Sequence, residues 1–360
     1  MDESKPKLVL SGGKTYFRFS NSDAEVTKEI LKKFYIKTST VDTYNAVALC
    51  TSGMHAINTT ITAIMSNWGW SNDVCIVIGD EMYGDTPRSA YFHSDVYTGG
   101  AMRVHKVSVQ DNDKVKTLFQ TKCHNKKVLF LLEPCTNPNG FLFDFSLVTE
   151  LKKLCKELLI VADNTWTPDM NVLEMGADAI ALSLTKHHSG SSCIMGAVIT
   201  HKNNIAKNVN ELLRKGGSHV SPYDCSILLE KISSMEERVS RASAVALKVA
   251  EELERMPWVE KVMFPLLKSH PSFELGEIYG IRPTVMNILM DVPSGQIGKE
   301  KTERWLRSRE GIYFATSYGG KECRIDPWIK RCPKTDKFWV RLSIGYESTV
   351  DQIMKALTKN

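Results

Sequence analysis

An aspartate and a lysine follow two short apolar runs near the middle of the chain. Asp163 comes directly after the run 159–162, and Lys186 stands four residues beyond the run 179–182. If these runs are neighbouring strands of an open parallel sheet, their carboxyl ends lie at the edge where ligands bind. We therefore expect Asp163 and Lys186 to line one cleft. For either residue taken alone, a bland alternative exists: Asp163 could cap a helix, and Lys186 could be a surface lysine in a loop.

The two residues favour one kind of chemistry when both are buried. Burial disfavours the ammonium form of a lysine, and a neutral amine can condense with an aldehyde. A buried carboxylate needs a cationic partner, because an isolated buried charge is costly. Pyridoxal phosphate (PLP) carries an aldehyde and a pyridinium nitrogen, and PLP sites use this pairing. The sequence thus predicts Lys186 on the aldehyde carbon and Asp163 on the ring nitrogen.

A turn of small residues provides a possible phosphate site. Gly53 and Met54 lie between an apolar run and a helical stretch. Free backbone N–H groups and the helix dipole favour an anion at such a point. We expect the Ser183 and Thr185 hydroxyls, close to Lys186, to contact the same phosphate. Because serine and glycine also cap helices that bind nothing, this prediction depends on its agreement with the lysine.

Three further side chains could complete the site. Tyr83 follows an apolar run and could stack on a pyridine ring; the alternative is a tyrosine that packs a turn. Asn137 could hydrogen-bond a ring hydroxyl, or simply occupy a proline turn. Arg341 lies in an apolar run, and its planar fork suits a substrate α-carboxylate or a structural salt bridge. The adjacent His187 and His188 have no acidic or cysteine cluster beside them, so no metal site is predicted.

The pattern of elements explains how these residues meet. Seven apolar runs lie at 46–51, 74–78, 103–107, 128–132, 159–162, 179–182 and 194–199. Most are continuous rather than alternating and are separated by helical stretches such as 145–156, which is typical of strands covered on both faces. This rhythm predicts an α/β domain with a mostly parallel central sheet.

The pattern changes after residue 220. Helical spacing over 223–255 predicts one long helix or two in series. Strands are expected at 259–264, 285–290 and 338–344, with helices at 299–308 and 349–359. We therefore predict an N-terminal arm at 1–45, a cofactor-binding α/β domain at 46–220, and a linking helix with a smaller C-terminal α+β domain at 221–360.

Composition narrows the class of protein. The 360 residues are 42% hydrophobic and 24% charged, which indicates a packed protein of about two domains. The net charge of +5 is not concentrated in a basic block, so no nucleic-acid partner is expected. The nine cysteines are odd in number and form no C-x-x-C, which favours free thiols in a reducing compartment. Without a signal-like start or an apolar run of spanning length, the sequence predicts a cytoplasmic protein and no membrane partner.

Eight segments in a fixed order resemble the Cys/Met metabolism family of PLP-dependent enzymes, the family of cystathionine γ-lyase and γ-synthase. The resemblance covers the chain from about Tyr35 to the C-terminus. The segments are S-G-M-x-A at 52–56, Y-G-x-T at 83–86, E-x-x-x-N-P at 133–138, D-N-T-W at 163–166, S-x-T-K at 183–186, S-P-Y-D at 221–224, S-x-G-G-x-E at 317–322 and R-x-S-x-G-x-E at 341–347.

The resemblance implies the fold, the site and the assembly. It implies a fold type I PLP-dependent transferase, active as a homodimer or homotetramer whose sites are shared between subunits. Arg341 and Ser317 would hold the α-carboxylate of an amino-acid substrate, and Tyr83 would stack on the cofactor and help to move protons. Tyr35 and Lys37 would correspond to the family's Y-x-R, which contacts a neighbouring subunit's phosphate.

The resemblance also implies an activity, with two alternatives left open. It implies a lyase of transsulfuration type that eliminates a β- or γ-substituent from a sulfur-containing amino acid. The first alternative is γ-replacement, as in cystathionine γ-synthase or an O-acylhomoserine sulfhydrylase, and the second is a non-catalytic protein of the same fold. Departures from the family lie mainly on the substrate and subunit-interface side. They are Lys37 in place of arginine, Thr38-Ser39-Thr40 in place of N-P-T, His187-His188 after the lysine, and Thr316 in place of an acidic residue.

Overall fold

Two β-sheets and the helices that cover them make up the protein. The structure is a computed structural model that describes residues 21–37, 42–71, 73–201 and 203–358. Its strands are β1 (Val47–Cys50), β2 (Val74–Gly79), β3 (Arg103–Val107), β4 (Lys127–Leu132), β5 (Glu157–Asp163), β6 (Ala179–Ser183), β7 (Gly196–Ile199), β8 (Val259–Met263), β9 (Val285–Met290), β10 (Tyr313–Phe314), β11 (Arg324–Ile325), β12 (Lys330–Arg331) and β13 (Phe338–Ser343).

The helices alternate with the strands in the first half of the chain. They are α1 (Ser22–Tyr35), α2 (Thr43–Ala46), α3 (Gly53–Trp68), α4 (Asp85–Thr98), α5 (Asn112–Leu118), α6 (Val148–Leu154), α7 (Val172–Met175), α8 (Ile205–Lys215), α9 (Pro222–Ile232), α10 (Met235–Leu253), α11 (Phe273–Tyr279), α12 (Gly295–Arg307) and α13 (Val350–Thr358). A π-helical turn at Phe119–Cys123 and a 3₁₀ turn at Phe145–Leu147 complete the set of described helices.

The large sheet has the strand order β1-β7-β6-β5-β4-β2-β3. Strand β7 is antiparallel to both of its neighbours, and the other four adjacent pairs are parallel. Every residue of β1, β2 and β7 is buried, as expected for strands covered by helices on both faces. The predicted α/β fold with a mostly parallel sheet is confirmed.

This topology gathers the ends of several strands. Because β4, β5 and β6 are parallel, their carboxyl ends lie at the same edge of the sheet. Asp163 is the last residue of β5, Ser183 is the last residue of β6, and the turn into α3 follows β1. The strand order alone therefore brings the predicted lysine, aspartate and phosphate turn towards one edge.

The small sheet forms the C-terminal part of the fold. Its order is β10-β11-β13-β9-β8, and β12 pairs with β13. Apolar side chains of β9 and β13, including Ile288 and Val340, are fully buried in one cluster with Val249 and Leu253 of α10. A second, smaller sheet domain is therefore present, as predicted.

Local differences from the predicted elements have simple causes. Of the two possibilities predicted for 223–255, one long helix or two in series, the structure has two, because the helix breaks at Ser233 and Ser234. The Ser234 hydroxyl donates to the Lys231 carbonyl over 3.1 Å, which competes with the regular helical bond. Strands β10, β11 and β12 were not predicted, since two residues are too few to show a period. The helix expected to reach residue 156 ends at Leu154, just before β5 begins.

The predicted N-terminal arm is described only in part. Residues 1–20 and 38–41 lie outside the described residues, and so does the departure at Thr38-Ser39-Thr40. Within residues 1–45, α1 buries Leu31 against the core of the large domain. The boundaries at 45 and 220 stay a prediction. In the described part of the chain, no helix is both long and apolar enough to cross a bilayer.

Two isoleucines ten residues apart test the packing of the small domain. Ile288 is fully buried in β9, whereas Ile278 of α11 is 74% exposed. We expect Ile288→Ala to lower the free energy of unfolding by about 2–5 kcal/mol through lost burial and a residual cavity. Ile278→Ala is expected to change it by less than about 0.5 kcal/mol. Urea denaturation of the two variants measures the difference, and equal losses would contradict the assigned packing.

Candidate functional site

Lys186 lies where the two domains meet. It follows the carboxyl end of β6, and its Nζ donates to Ser317 Oγ over 2.6 Å. The same Nζ is 5.5 Å from the centre of the Tyr318 ring. The lysine of the large domain thus faces a loop of the small domain, and it contacts Ser317, which was predicted to bind the substrate carboxylate.

The loop that carries Ser317 needs an unusual backbone to come this close. Gly319 has a φ of +84°, and a Cβ placed on it would lie 2.7 Å from the Lys186 carbonyl carbon. Ser317 itself has a φ of +81°, which is strained for a residue with a side chain. The Ser343 hydroxyl donates to the Ser317 carbonyl over 3.1 Å and helps to hold this conformation. Strain of this kind, about 1–3 kcal/mol, persists where the surroundings enforce it.

The surroundings of Lys186 favour its neutral amine. Burial is the main cause that lowers the pKa of Lys186 below its ordinary value. The positive charges of Arg341 and Arg324 lower it further, and the negative charge of Asp163 opposes them. A neutral amine is the form that condenses with an aldehyde and accepts a proton.

Asp163 lies at the end of β5 and is held by one threonine. Its Oδ1 accepts the Thr165 N–H at 3.1 Å and the Thr165 hydroxyl at 2.6 Å. The Thr165 oxygen in turn accepts the Ser183 N–H at 2.9 Å, so one side chain links β5 to β6. Burial raises the pKa of Asp163, while these hydrogen bonds and Lys186 lower it in part. Thr165 was not among the predicted site residues.

The turn into α3 packs directly on the lysine loop. Ser52 caps the helix by accepting the His55 N–H at 3.1 Å. A Cβ on Gly53 would lie 2.7 Å from the Ser183 Cβ, so only glycine allows this approach. The Thr185 hydroxyl bonds the backbone of Met195, whose N–H donates to it over 3.2 Å. Gly53 and Ser183 are therefore adjacent, as a shared phosphate would require.

Tyr83 lies four residues after the carboxyl end of β2. Its side chain is 48% exposed, and its backbone N–H donates to Glu133 Oε1 over 2.6 Å. Glu133 directly follows β4 and is only 4% exposed. Burial, followed by the charge of Asp163, raises the pKa of Glu133 well above its ordinary value. Glu133 begins the E-x-x-x-N-P segment, but no role was predicted for its side chain. Its position at the end of an apolar strand is the sequence feature that could have identified it as a site residue.

Arg341 of β13 is already paired. Its Nη2 lies 2.6 Å from Oδ2 of Asp326, and both side chains are largely buried. Its Nη1 donates to Asn137 Oδ1 over 3.3 Å, so two of the predicted residues are in contact. Asp326 was not predicted, because nothing in its local sequence distinguishes it from a turn aspartate.

Tyr35 faces its own chain. The Tyr35 hydroxyl lies 2.9 Å from His188 Nε2, and both side chains are buried. Burial is the main cause that lowers the pKa of His187 and His188 to about 3, so both imidazoles are neutral. Lys37 is exposed. The predicted contacts of Tyr35 and Lys37 with a neighbouring subunit's phosphate stay predictions.

The arrangement fits PLP. The amine of Lys186 suits the aldehyde, and the partly buried carboxylate of Asp163 suits a pyridinium nitrogen, whose charge would offset the desolvation that raises the pKa of Asp163. The close approach of Gly53 to Ser183 leaves the backbone of this turn beside the lysine loop, where a phosphate would fit. Across the described residues, no group of three or more His, Cys, Asp or Glu side chains is placed to hold a metal ion.

Several characterised proteins with similar sequences are lyases that act on sulfur-containing amino acids. Cystathionine beta-lyase of Arabidopsis thaliana is 29% identical over 275 residues, which cover 75% of this chain and 54% of the plant protein. Cystathionine gamma-lyase of Rattus norvegicus is 31% identical over 225 residues, 62% of this chain and 54% of the rat protein. The chain thus spans about half the length of these two relatives. L-methionine gamma-lyase of Porphyromonas gingivalis is 26% identical over 362 residues, with 95% and 84% covered.

Solved structures show the same fold. A cystathionine gamma synthase from Xanthomonas oryzae pv. oryzae superposes with a TM-score of 0.77 at 22% identity, over 97% of this chain and 88% of that one. A methionine gamma lyase from Micromonospora echinospora superposes with a TM-score of 0.79 at 20% identity, over 96% and 87%. The family profile of Cys/Met metabolism PLP-dependent enzymes matches residues 10–358. With the lysine, the carboxylate and the fold in place, this chain belongs to the Cys/Met metabolism PLP-dependent enzyme family.

Proposed function

We propose that the protein is a PLP-dependent lyase that eliminates a β- or γ-substituent from a sulfur-containing amino acid of the cystathionine, cysteine or methionine type. The observation that carries the proposal is the partly buried Lys186 amine, which contacts Ser317 and whose pKa is affected by the charges of Arg341 and Asp163. Three of the relatives, a cystathionine beta-lyase, a cystathionine gamma-lyase and a methionine gamma-lyase, support it by name.

Each residue of the site would have a role that follows from its chemistry. PLP, when bound, accepts the electron pair left at the substrate's α-carbon. Lys186 would hold the aldehyde carbon, and its amine, once released by the incoming substrate, would remove the α-proton, because its surroundings favour the neutral form. Asp163 would keep the ring nitrogen protonated. Gly53, Met54, Ser183 and Thr185 would hold the phosphate.

The substrate would be placed by the opposite side of the cleft. Arg341 and Ser317 would bind the α-carboxylate, and Asn137 would bind the ring hydroxyl while it also contacts Arg341. Lys186 or the half-exposed Tyr83 would pass a proton to the leaving group. Release of the product by water makes the enzyme a lyase, whereas capture by a thiol would make the same residues serve γ-replacement.

We also propose that the protein assembles as a homodimer or homotetramer. Helix α4 carries four exposed apolar or aromatic side chains, Tyr91, Phe92, Val96 and Tyr97, which is typical of a face that another protein surface covers. A cytoplasmic location is proposed as well, because all nine cysteines are free thiols.

Replacement of the lysine tests the proposed function. We expect Lys186→Ala to lose the visible colour of bound PLP and to lower the turnover of sulfur amino acids by about 10²–10⁴-fold or more, since proton transfer by a positioned group is worth that much. Lys248→Ala, on the exposed side of α10, is the matched control and should leave both unchanged.

The assay supplies cystathionine, L-methionine, L-cysteine and O-acetylhomoserine with and without a thiol, and identifies the products. Turnover without a thiol supports the lyase, whereas turnover only with a thiol supports replacement. A yellow protein whose spectrum responds to L-cysteine but not to D-cysteine excludes a non-catalytic role. Full activity in Lys186→Ala would overturn the proposal.

The pKa of Lys186 gives a second test that needs no turnover. Removal of a positive neighbour should raise this pKa, and removal of the negative one should lower it further. We therefore expect the pH profile of Lys186 methylation by limiting formaldehyde and a reductant to shift upward in Arg341→Met and downward in Asp163→Asn. Peptide mass spectrometry of the apoprotein measures it, with Lys248 as the internal reference. Shifts of the opposite sign would contradict the assigned charge environment.

A further inference from the structure

A carboxylate of the protein itself occupies part of the predicted substrate-carboxylate site. Asp326 Oδ2 lies 2.6 Å from Arg341 Nη2, with 13% of the Asp326 side chain and 17% of the Arg341 side chain exposed. This separation corresponds to a charge-assisted hydrogen bond, which is among the stronger polar contacts in proteins. The guanidinium of Arg341 is thus already paired with a carboxylate when no substrate is bound.

Asp326 is fixed by contacts of its own. Its Oδ1 accepts the Trp328 N–H at 3.0 Å. Its backbone N–H donates to the Arg341 carbonyl over 3.0 Å, so the residue is bonded to β13 by main chain and side chain together. A carboxylate held at both oxygens loses little freedom when it pairs with the arginine, and the pair therefore persists at equilibrium.

The guanidinium keeps donors for a second acceptor. Of its five N–H groups, one points to Asp326 and one to Asn137. A substrate carboxylate can therefore still bind, but it meets a cation whose charge Asp326 already offsets. Two carboxylates on one guanidinium also repel each other, because they lie in a partly buried place where charges are weakly screened.

We propose that Asp326 is a specificity-determining residue that shares Arg341 with the amino-acid substrate and weakens the binding of its carboxylate. This inference rests on the proposed function, because it takes Arg341 as the carboxylate site. Its consequence is that the chain depends less on the α-carboxylate, and more on the rest of the amino acid, for affinity than an enzyme with an unpaired arginine would.

A single amide substitution separates this role from a purely structural one. Asp326→Asn removes the charge but keeps an oxygen for the Trp328 N–H. The matched control is Asp336→Asn, in the turn between β12 and β13, where Asp336 pairs with the exposed Arg331; asparagine also tolerates the positive φ of this position. Asp326→Ser, which keeps an oxygen acceptor, is the second variant if the first does not fold.

The test is the affinity of the holoprotein for L-norleucine, which has no group to eliminate, and for its amide, which has no carboxylate charge. The visible band of PLP and the fluorescence of Trp328 and Trp339, which line the cavity beside Arg341, report binding. We expect Asp326→Asn to bind L-norleucine about tenfold more tightly, the scale of one charge-assisted hydrogen bond. Its affinity for the amide, and both affinities of Asp336→Asn, should stay at the wild-type values.

Unchanged or weaker binding of L-norleucine by Asp326→Asn would overturn the inference, and so would an equal gain for the amide. The outcome is distinct from failure of the proposed function, which would appear as a wild-type protein that eliminates nothing from sulfur amino acids, or that shows no visible band of PLP. In that case a fluorescence titration with sodium propionate tests the competition for Arg341 on the same variants, with the same expected order.

Discussion

The contact between Lys186 and Ser317 is the interaction on which the site depends. It joins the carboxyl edge of the large sheet to a loop of the small domain over 2.6 Å. The loop reaches this position only because Gly319 has no Cβ to meet the Lys186 backbone and because Ser317 is held at a positive φ. The local strain is thus the cost of placing a side chain of one domain on the reactive amine of the other.

Burial acts on the two key charges in opposite directions. It lowers the pKa of Lys186 and raises the pKa of Asp163, so each group is less charged than it would be in water. A bound PLP would satisfy both groups, because it supplies an aldehyde for the amine and a pyridinium nitrogen for the carboxylate. Thr165 contributes by bonding Asp163 and the backbone of Ser183 together, which fixes the carboxylate relative to the lysine loop.

The site residues that follow strands could be predicted from the sequence. Asp163, Ser183 and Lys186 follow apolar runs whose parallel order could be inferred from the βα rhythm, and strand order then determines their proximity. Asp326 could not be found in this way. Asp326 directly follows β11, and the pairing of β11 with β13 brings it next to Arg341. A two-residue strand such as β11 has no hydrophobic period that the sequence could reveal. The sequence also could not decide whether Arg341 binds a substrate carboxylate or forms a structural salt bridge, since a guanidinium suits either partner.

The cofactor side and the substrate side of the cleft are under different constraints. PLP presents the same aldehyde, ring nitrogen and phosphate in every member of the family, so the lysine, the carboxylate and the phosphate turn must keep their chemistry. On the substrate side, Arg341 is paired with Asp326 in this chain. An arginine that is already paired cannot supply the affinity that a free one would. If Asp326 shares Arg341 with the substrate, as we propose, contacts with the remainder of the amino acid supply more of its binding affinity.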